Sequence, residues 1–338
     1  MSESSPILTH FPLDFQWPTQ EPFLFCVHHD DTYPKGNGQL GVPIELLAGR
    51  DLGQDFSLKD GFRMYHGESV PGFPVHPHRG FETITIVRKG YIDHSDSMGA
   101  AGRYGEGDVQ WMTAGGGVQH SEMFPLVKTD DTNQVELFQV WLNLPRKSKM
   151  VSPAFKMFWH EKIPRVVLPN GQGVVSVIAG DFVGTKAIEP PPNSWAARAE
   201  SEVLILIIQL NPNGEIELPM PKSNVTRSLY FFKGEKLSVN GQVVTQKTGF
   251  TINPKINTKL AASDGATEIL ILQAQSIGEP VVQYGPFVMN TKAEIAQTIE
   301  DYQRTQFGGW SWGRHDMVHG PKIERFAKYP DGHLENPT

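Results

Sequence analysis

Cysteine is almost missing from this 338-residue chain: Cys26 stands alone, so no intramolecular disulfide can form, and a reducing compartment is the expected setting. Positive charge is also scarce. Lys and Arg number 30 against 37 Asp and Glu, a formal net charge of −7, which argues against a basic strip for direct nucleic-acid binding. The densest basic cluster, Arg146-Lys147-Ser148-Lys149, follows a proline and reads as a solvated loop. No apolar run approaches the roughly 20 residues that span a bilayer. The longest, 203–208, has strand length and β-branched content. The N-terminus, Met-Ser-Glu-Ser-Ser-Pro, lacks the basic and apolar regions of a signal peptide. A soluble, cytoplasmic protein with no membrane partner is expected. No short tandem repeat is present.

Glycine and proline are frequent, as they are where many short strands need many turns. Period-2 or β-rich segments follow one another at 42–47, 81–87, 91–97, 107–113, 118–123 and 135–144. A second series runs through 155–159, 174–178, 203–210, 229–232, 237–244 and 269–273, with Asn240-Gly241 as a type I′ hairpin signal. The pattern predicts an all-β chain built as two similar barrels. The domains are expected at 1–150, 151–290 and 291–338, the last comprising a helix and an extended tail. That helix is expected from about 291 to 304, opened by the capping box Thr291-Lys292-Ala293-Glu294. His315, His319 and His333 in the tail have spacings that do not suggest a metal site.

Chemistry concentrates in His76-Pro77-His78 and His120-Ser121-Glu122. Residues two apart on a strand project to one face. Two neighbouring strands can therefore aim three imidazoles and a carboxylate at one spot, a donor set suited to a divalent transition metal. Glu82 shares parity with His76 and His78, so an uninterrupted strand would aim it inward too, although Arg79-Gly80 can kink the strand. Two carboxylates, Glu82 and Glu122, are thus candidates. The C-terminal half has no such pair in a strand, so its barrel is expected to be metal-free. Phe73, Phe81, Trp111 and Met112 are candidates for lining a pocket for a flat aromatic ligand.

These motifs resemble a known family. Gly72 to Glu82, as G-x3-H-x-H-x3-E, is similar to the first cupin motif with altered spacing. His76-Pro77-His78-Arg79-Gly80-Phe81-Glu82-Thr83 resembles the pirin branch of the cupins, as do the stretches 107–115, 120–123 and 284–291. The resemblance implies a bicupin with two cupin-type β-barrels and one metal ion in the N-terminal barrel. Its ligands would be His76, His78, His120 and Glu122, with Glu82 steadying an imidazole or a bound water. Iron is the usual metal of the family, so Fe(II) is expected, with Mn, Ni, Co, Cu and Zn compatible. Gly116 departs from the arginine that many relatives carry, and His94 and Asp96 resemble the family without an assignable chemistry.

Some members of this family cleave flavonols such as quercetin with dioxygen; others, in eukaryotes, are nuclear transcription co-regulators. The expectation is a quercetinase-type dioxygenase acting on a small aromatic substrate, in which Glu122 doubles as catalytic base. The alternative is a metal-containing regulator that binds a protein partner without catalysis.

Overall fold

Strand-forming segments punctuated by glycine turns run through the computed structural model, which describes residues 5–245 and 247–337. The chain is all-β, and Lys292–Thr305 is the single α-helix among the described residues. The Thr291 side chain caps that helix by accepting from the Glu294 backbone N–H at 3.2 Å, and Glu294 accepts from the Asn290 N–H at 3.0 Å. Its Ile295 is buried in a small cluster with Phe287, Met289 and Phe307. Among the described residues, no helix is long and apolar enough to cross a membrane.

Two compact units form, and they are not the contiguous stretches 1–150, 151–290 and 291–338. One comprises residues 28–139, 146–161 and 279–338; the other comprises the chain up to 27, 140–145 and 162–278. The reason is non-local pairing. Ile7–Pro12 pairs antiparallel with Thr248–Ile252, setting His10 opposite Phe250, so the N-terminal strand belongs to the second unit's sheet. Conversely Ala154–Phe158, expected in the second series, pairs with Val109–Thr113 in the first unit.

The first unit holds a sheet in the order Leu334–Glu335, Phe326–Lys328, Ala101–Gly105, Tyr91–Asp96, Val118–Met123, Gly72–His78. Its tail is therefore ordered structure that extends the sheet. In the second unit, Thr226–Lys233, Thr267–Ala274 and Leu204–Leu210 lie side by side. Their alternate residues Leu229, Phe231, Ile269, Ile271, Leu206 and Ile208 form an apolar core. The expected hairpin is present as Lys236–Val239 and Gln242–Thr245, with Asn240 and Gly241 both at positive φ (48° and 86°).

Two local expectations fail. The segment 42–47 contains a 3-10 turn, Ile44–Leu46, instead of a strand: Pro43 offers no N–H for a ladder, and Ile44 is left 83% exposed. Lys149 is buried rather than solvated, its ammonium donating to the carbonyls of Gly80 (2.8 Å) and Val288 (3.0 Å). The strand Phe23–Tyr33 leaves no clear mark in the sequence, because its run His28-His29-Asp30-Asp31 hides the apolar alternation.

Candidate metal centre

Gly72–His78 and Val118–Met123 pair antiparallel, with a register shift between Phe73 and His76 that brings His76 directly opposite His120. Residues two apart share a face, so His78 and Glu122 follow on the same side. One ligand atom from each of His76, His78 and His120 lies within 4.8 Å of the others. The rings sit 4.5 Å (His76–His120), 4.8 Å (His76–His78) and 4.9 Å (His78–His120) apart. His78 and His120 are buried, whereas His76 is partly exposed.

Glu122 lies beside this cluster, with Oε2 at 3.8 Å from His120 Nε2. Its Oε2 accepts from Gln139 Nε2 at 2.8 Å. Thr85 Oγ1 lies 3.0 Å from Oε1 but also 2.6 Å from Gln139 Oε1, and its single proton can serve only one of them. Tyr104 OH approaches Oε1 at 3.4 Å. Burial pushes the Glu122 carboxyl up, against the opposing effects of His94 and these hydrogen bonds.

Electrostatics favour ligation by the imidazoles. Burial brings His76 down to about 4, and burial together with the neighbouring histidines holds His78 and His120 well below the usual imidazole range. All three are neutral at pH 7, the form that binds metals. His76 Nδ1 is 2.8 Å from the Pro74 carbonyl, which only accepts, so Nδ1 carries the proton and Nε2 presents its lone pair. Both ring nitrogens of His120 are buried without a hydrogen-bond partner. Such a residue fits a ligand to a cation better than a packed core group.

Glu82 is placed elsewhere. Gly72–His78 ends before Arg79-Gly80, Gly80 takes φ +87°, and Phe81–Lys89 begins a strand of a different sheet. Parity restarts there. Phe81 and Thr85 face the cluster, with Phe81 5.0 Å from the His78 ring and Thr85 near Glu122. Glu82 projects to the opposite face, pairs with Thr113 in register and accepts from its hydroxyl at 2.7 Å. Trp111, opposite Ile84, shares that far face and packs on Phe158, while Met112, opposite Thr83, faces the cluster side. Phe73 stands 6.3 Å from the His76 ring within an aromatic group that includes Tyr65 (5.2 Å, stacked) and Phe124 (6.1 Å).

His94 and Asp96 gain a place. Tyr91–Asp96 pairs with Val118–Met123 so that His94 stands opposite Glu122 and Asp96 opposite His120. Asp96 accepts from His94 Nε2 at 3.2 Å and from the backbone N–H groups of Met98 and Ala100. The His94 ring lies 5.5 Å from that of His120. Their i, i+2 spacing was the available signal, but only the pairing register shows that it faces the same side. The tail contributes a brace rather than a ligand, since His319 Nε2 donates to the His94 carbonyl at 2.7 Å. Gly116 accepts from Arg79 Nε at 2.7 Å through its carbonyl, and Arg79 also pairs with Asp301 at 2.8 Å.

Known proteins resemble this chain along most of its length. The family model "Pirin" matches residues 18–142, and "Pirin C-terminal cupin domain" matches residues 205–308. A Pseudomonas aeruginosa protein named "Putative quercetin 2,3-dioxygenase" is 34% identical over 70% of this chain and 79% of its own length. "Pirin-like protein 2" from Arabidopsis thaliana is 37% identical over 72% of this chain and 74% of its own. The crystal structure of quercetin 2,3-dioxygenase from Acinetobacter baumannii superimposes with a TM-score of 0.69 at 28% identity, covering 90% of this chain and 98% of that one. With both family models matched and these relatives aligned along most of its length, the chain belongs to the pirin family of bicupins.

Proposed function

We propose that the chain is a metal-dependent dioxygenase that cleaves flavonol-like substrates with O2, holding one Fe(II) through His76, His78, His120 and Glu122 and working in the cytoplasm. The observation that carries this reading is the cluster of three neutral imidazoles with Glu122 on the adjoining rung. The names of two relatives, "Putative quercetin 2,3-dioxygenase" and "Quercetin 2,3-dioxygenase", point the same way. A bound divalent ion would favour the deprotonated oxygen of a chelating enol or catechol and assist electron flow from it to dioxygen.

The remaining work belongs to the chain's own side chains. The partly exposed His76 marks the side from which a ligand can approach. Phe73 and Phe81 offer apolar ring faces beside His76 and His78 for an aromatic substrate. Glu122, oriented by Gln139, is the group to take the substrate hydroxyl proton on Oε2.

The test is anaerobic reconstitution with Fe(II), Mn, Co, Ni, Cu or Zn singly, followed by oxygen-uptake assays with quercetin and other enediols. Substrate-dependent oxygen consumption by the iron-loaded protein is expected. Absence of uptake with every flavonol at full iron loading overturns the enzyme reading. Protein capture that depends on iron oxidation state would then support a partner-binding regulator.

A further inference from the structure

The second unit keeps a buried cation that the metal centre does not use. Across three antiparallel strands, Arg227 stands opposite Gln273 and Gln273 opposite Leu204. Two residues further along, Leu229, Ile271 and Leu206 make the next rung, then Phe231, Ile269 and Ile208 the one after. Directly opposed residues share a face, and both later rungs are core. Arg227 and Gln273 therefore close the end of an apolar inner face with polar groups. Arg227 is only 3% exposed.

Its guanidinium is held but not neutralised. Nε donates to Gln273 Oε1 at 2.6 Å and Nη2 to the Pro219 carbonyl at 2.9 Å. Gln273 is itself fixed, since its Nε2 donates to the Glu202 carbonyl oxygen at 3.1 Å. Nη1 is buried with no hydrogen-bond partner, and no carboxylate forms an ion pair with Arg227 among the described residues. Burial lowers the guanidinium to about 10 and the charge of Glu202 opposes that, so Arg227 is a cation at neutral pH. Buried charges are normally paired, and an unpaired one is costly.

Beside this cation lies a cavity of about 430 Å³ lined by Arg227, Gln273, Leu204, Leu206, Leu218 and Ile271, among others. That volume is within the range of small-molecule sites. Asp181, Glu202 and Lys222 also line it; Glu202 is partly exposed and the other two are exposed, and a Glu202 carboxylate oxygen accepts from the Lys222 backbone N–H at 3.0 Å. A buried cation with one unmet N–H, set among leucine and isoleucine walls, matches a single negative charge on a hydrocarbon body. A phosphate dianion would need more donors than these.

We infer that this cavity binds a small monocarboxylate with an apolar body, its carboxylate on Nη1 of Arg227 and its chain against Leu204, Leu206, Leu218 and Ile271. The test is an NMR titration of the full-length protein with hexanoate and phenylacetate, with hexanamide and phenylacetamide as uncharged controls. The acids should shift the amides of Leu204, Leu206, Arg227 and Ile271, and the controls should not do so at equal concentration. Arg227→Gln should weaken binding at least about tenfold, as expected for loss of a charge-assisted hydrogen bond. Arg227→Lys, which keeps the charge but not the planar fork, should also bind more weakly than wild type, and it decides the matter if the Gln variant does not fold. The inference is overturned if acids and amides bind alike, if the folded Arg227 variants bind as wild type does, or if shifts appear only around His76 and His120. Absence of any shift overturns it as well.

Discussion

Both ring nitrogens of His120 are buried without a hydrogen-bond partner, which suits a ligand to an ion shared with His76 and His78. His120→Ala should therefore lose most bound metal while the far-ultraviolet circular dichroism stays that of the wild type, because strand burial and not the ion carries the fold. Elemental analysis checks this, with about one ion per wild-type chain expected from a single ligand set. Full occupancy in the variant would sink the ligand assignment. Glu122→Gln keeps the side-chain shape but removes its charge and proton affinity. If Glu122 is the base, flavonol cleavage per bound metal should fall by about 10²–10⁴-fold, and an unchanged rate would remove that role. The two histidine pairs could be read directly from their spacing. Glu82 could not, since its face depends on whether the strand continues through Arg79-Gly80.

The corner at Gly80 shows the same dependence at the level of elements. It separates two strands of different sheets, and a Cβ there would lie 2.0 Å from the Val288 carbonyl oxygen while the backbone holds φ +87°. Gly80→Ala should destabilise the protein by at least about 1–2 kcal/mol, the cost of a left-handed non-glycine residue alone. It should also reduce metal affinity, since His78 is only two residues away. Urea unfolding and metal titration measure the two effects; a variant as stable as wild type would mean the corner relaxes freely. Strands such as 118–123 and 204–210 were recognisable from alternation or β-branched runs because that pattern is local. Phe23–Tyr33 was not, because its pairing context and not its own polarity makes it a strand.

Acid sensitivity belongs to the whole molecule, and Glu136 is a defined contributor. Burial alone would raise its carboxyl, but the hydrogen bond from His28 and the charges of Arg88, His28 and Lys89 bring it from 4.5 to about 2. A depressed carboxyl stabilises the folded state fully above its unfolded value and loses that contribution as pH falls from about 4.5 towards 2. The contribution at neutral pH is about 3 kcal/mol at most, by the usual conversion of a pKa difference. The stability gap between wild type and Glu136→Gln should therefore be widest above pH 5 and shrink steadily on acidification. Denaturant unfolding at several pH values would show it, and a gap independent of pH would exclude the ion-pair account.

Local chemistry let the sequence alone determine the all-β class, the paired histidines, the capped helix and the Asn-Gly hairpin, because each depends on residues within a few positions of one another. Tertiary structure decided whatever depends on register and long-range pairing. It sent Ile7–Pro12 to a partner some 240 residues away, turned Glu82 from the cluster, set His94 opposite Glu122 and closed an apolar face with Arg227. The physical reason is that strand periodicity states which residues share a face of one strand, whereas the partner and the offset are chosen by the burial of the whole sheet.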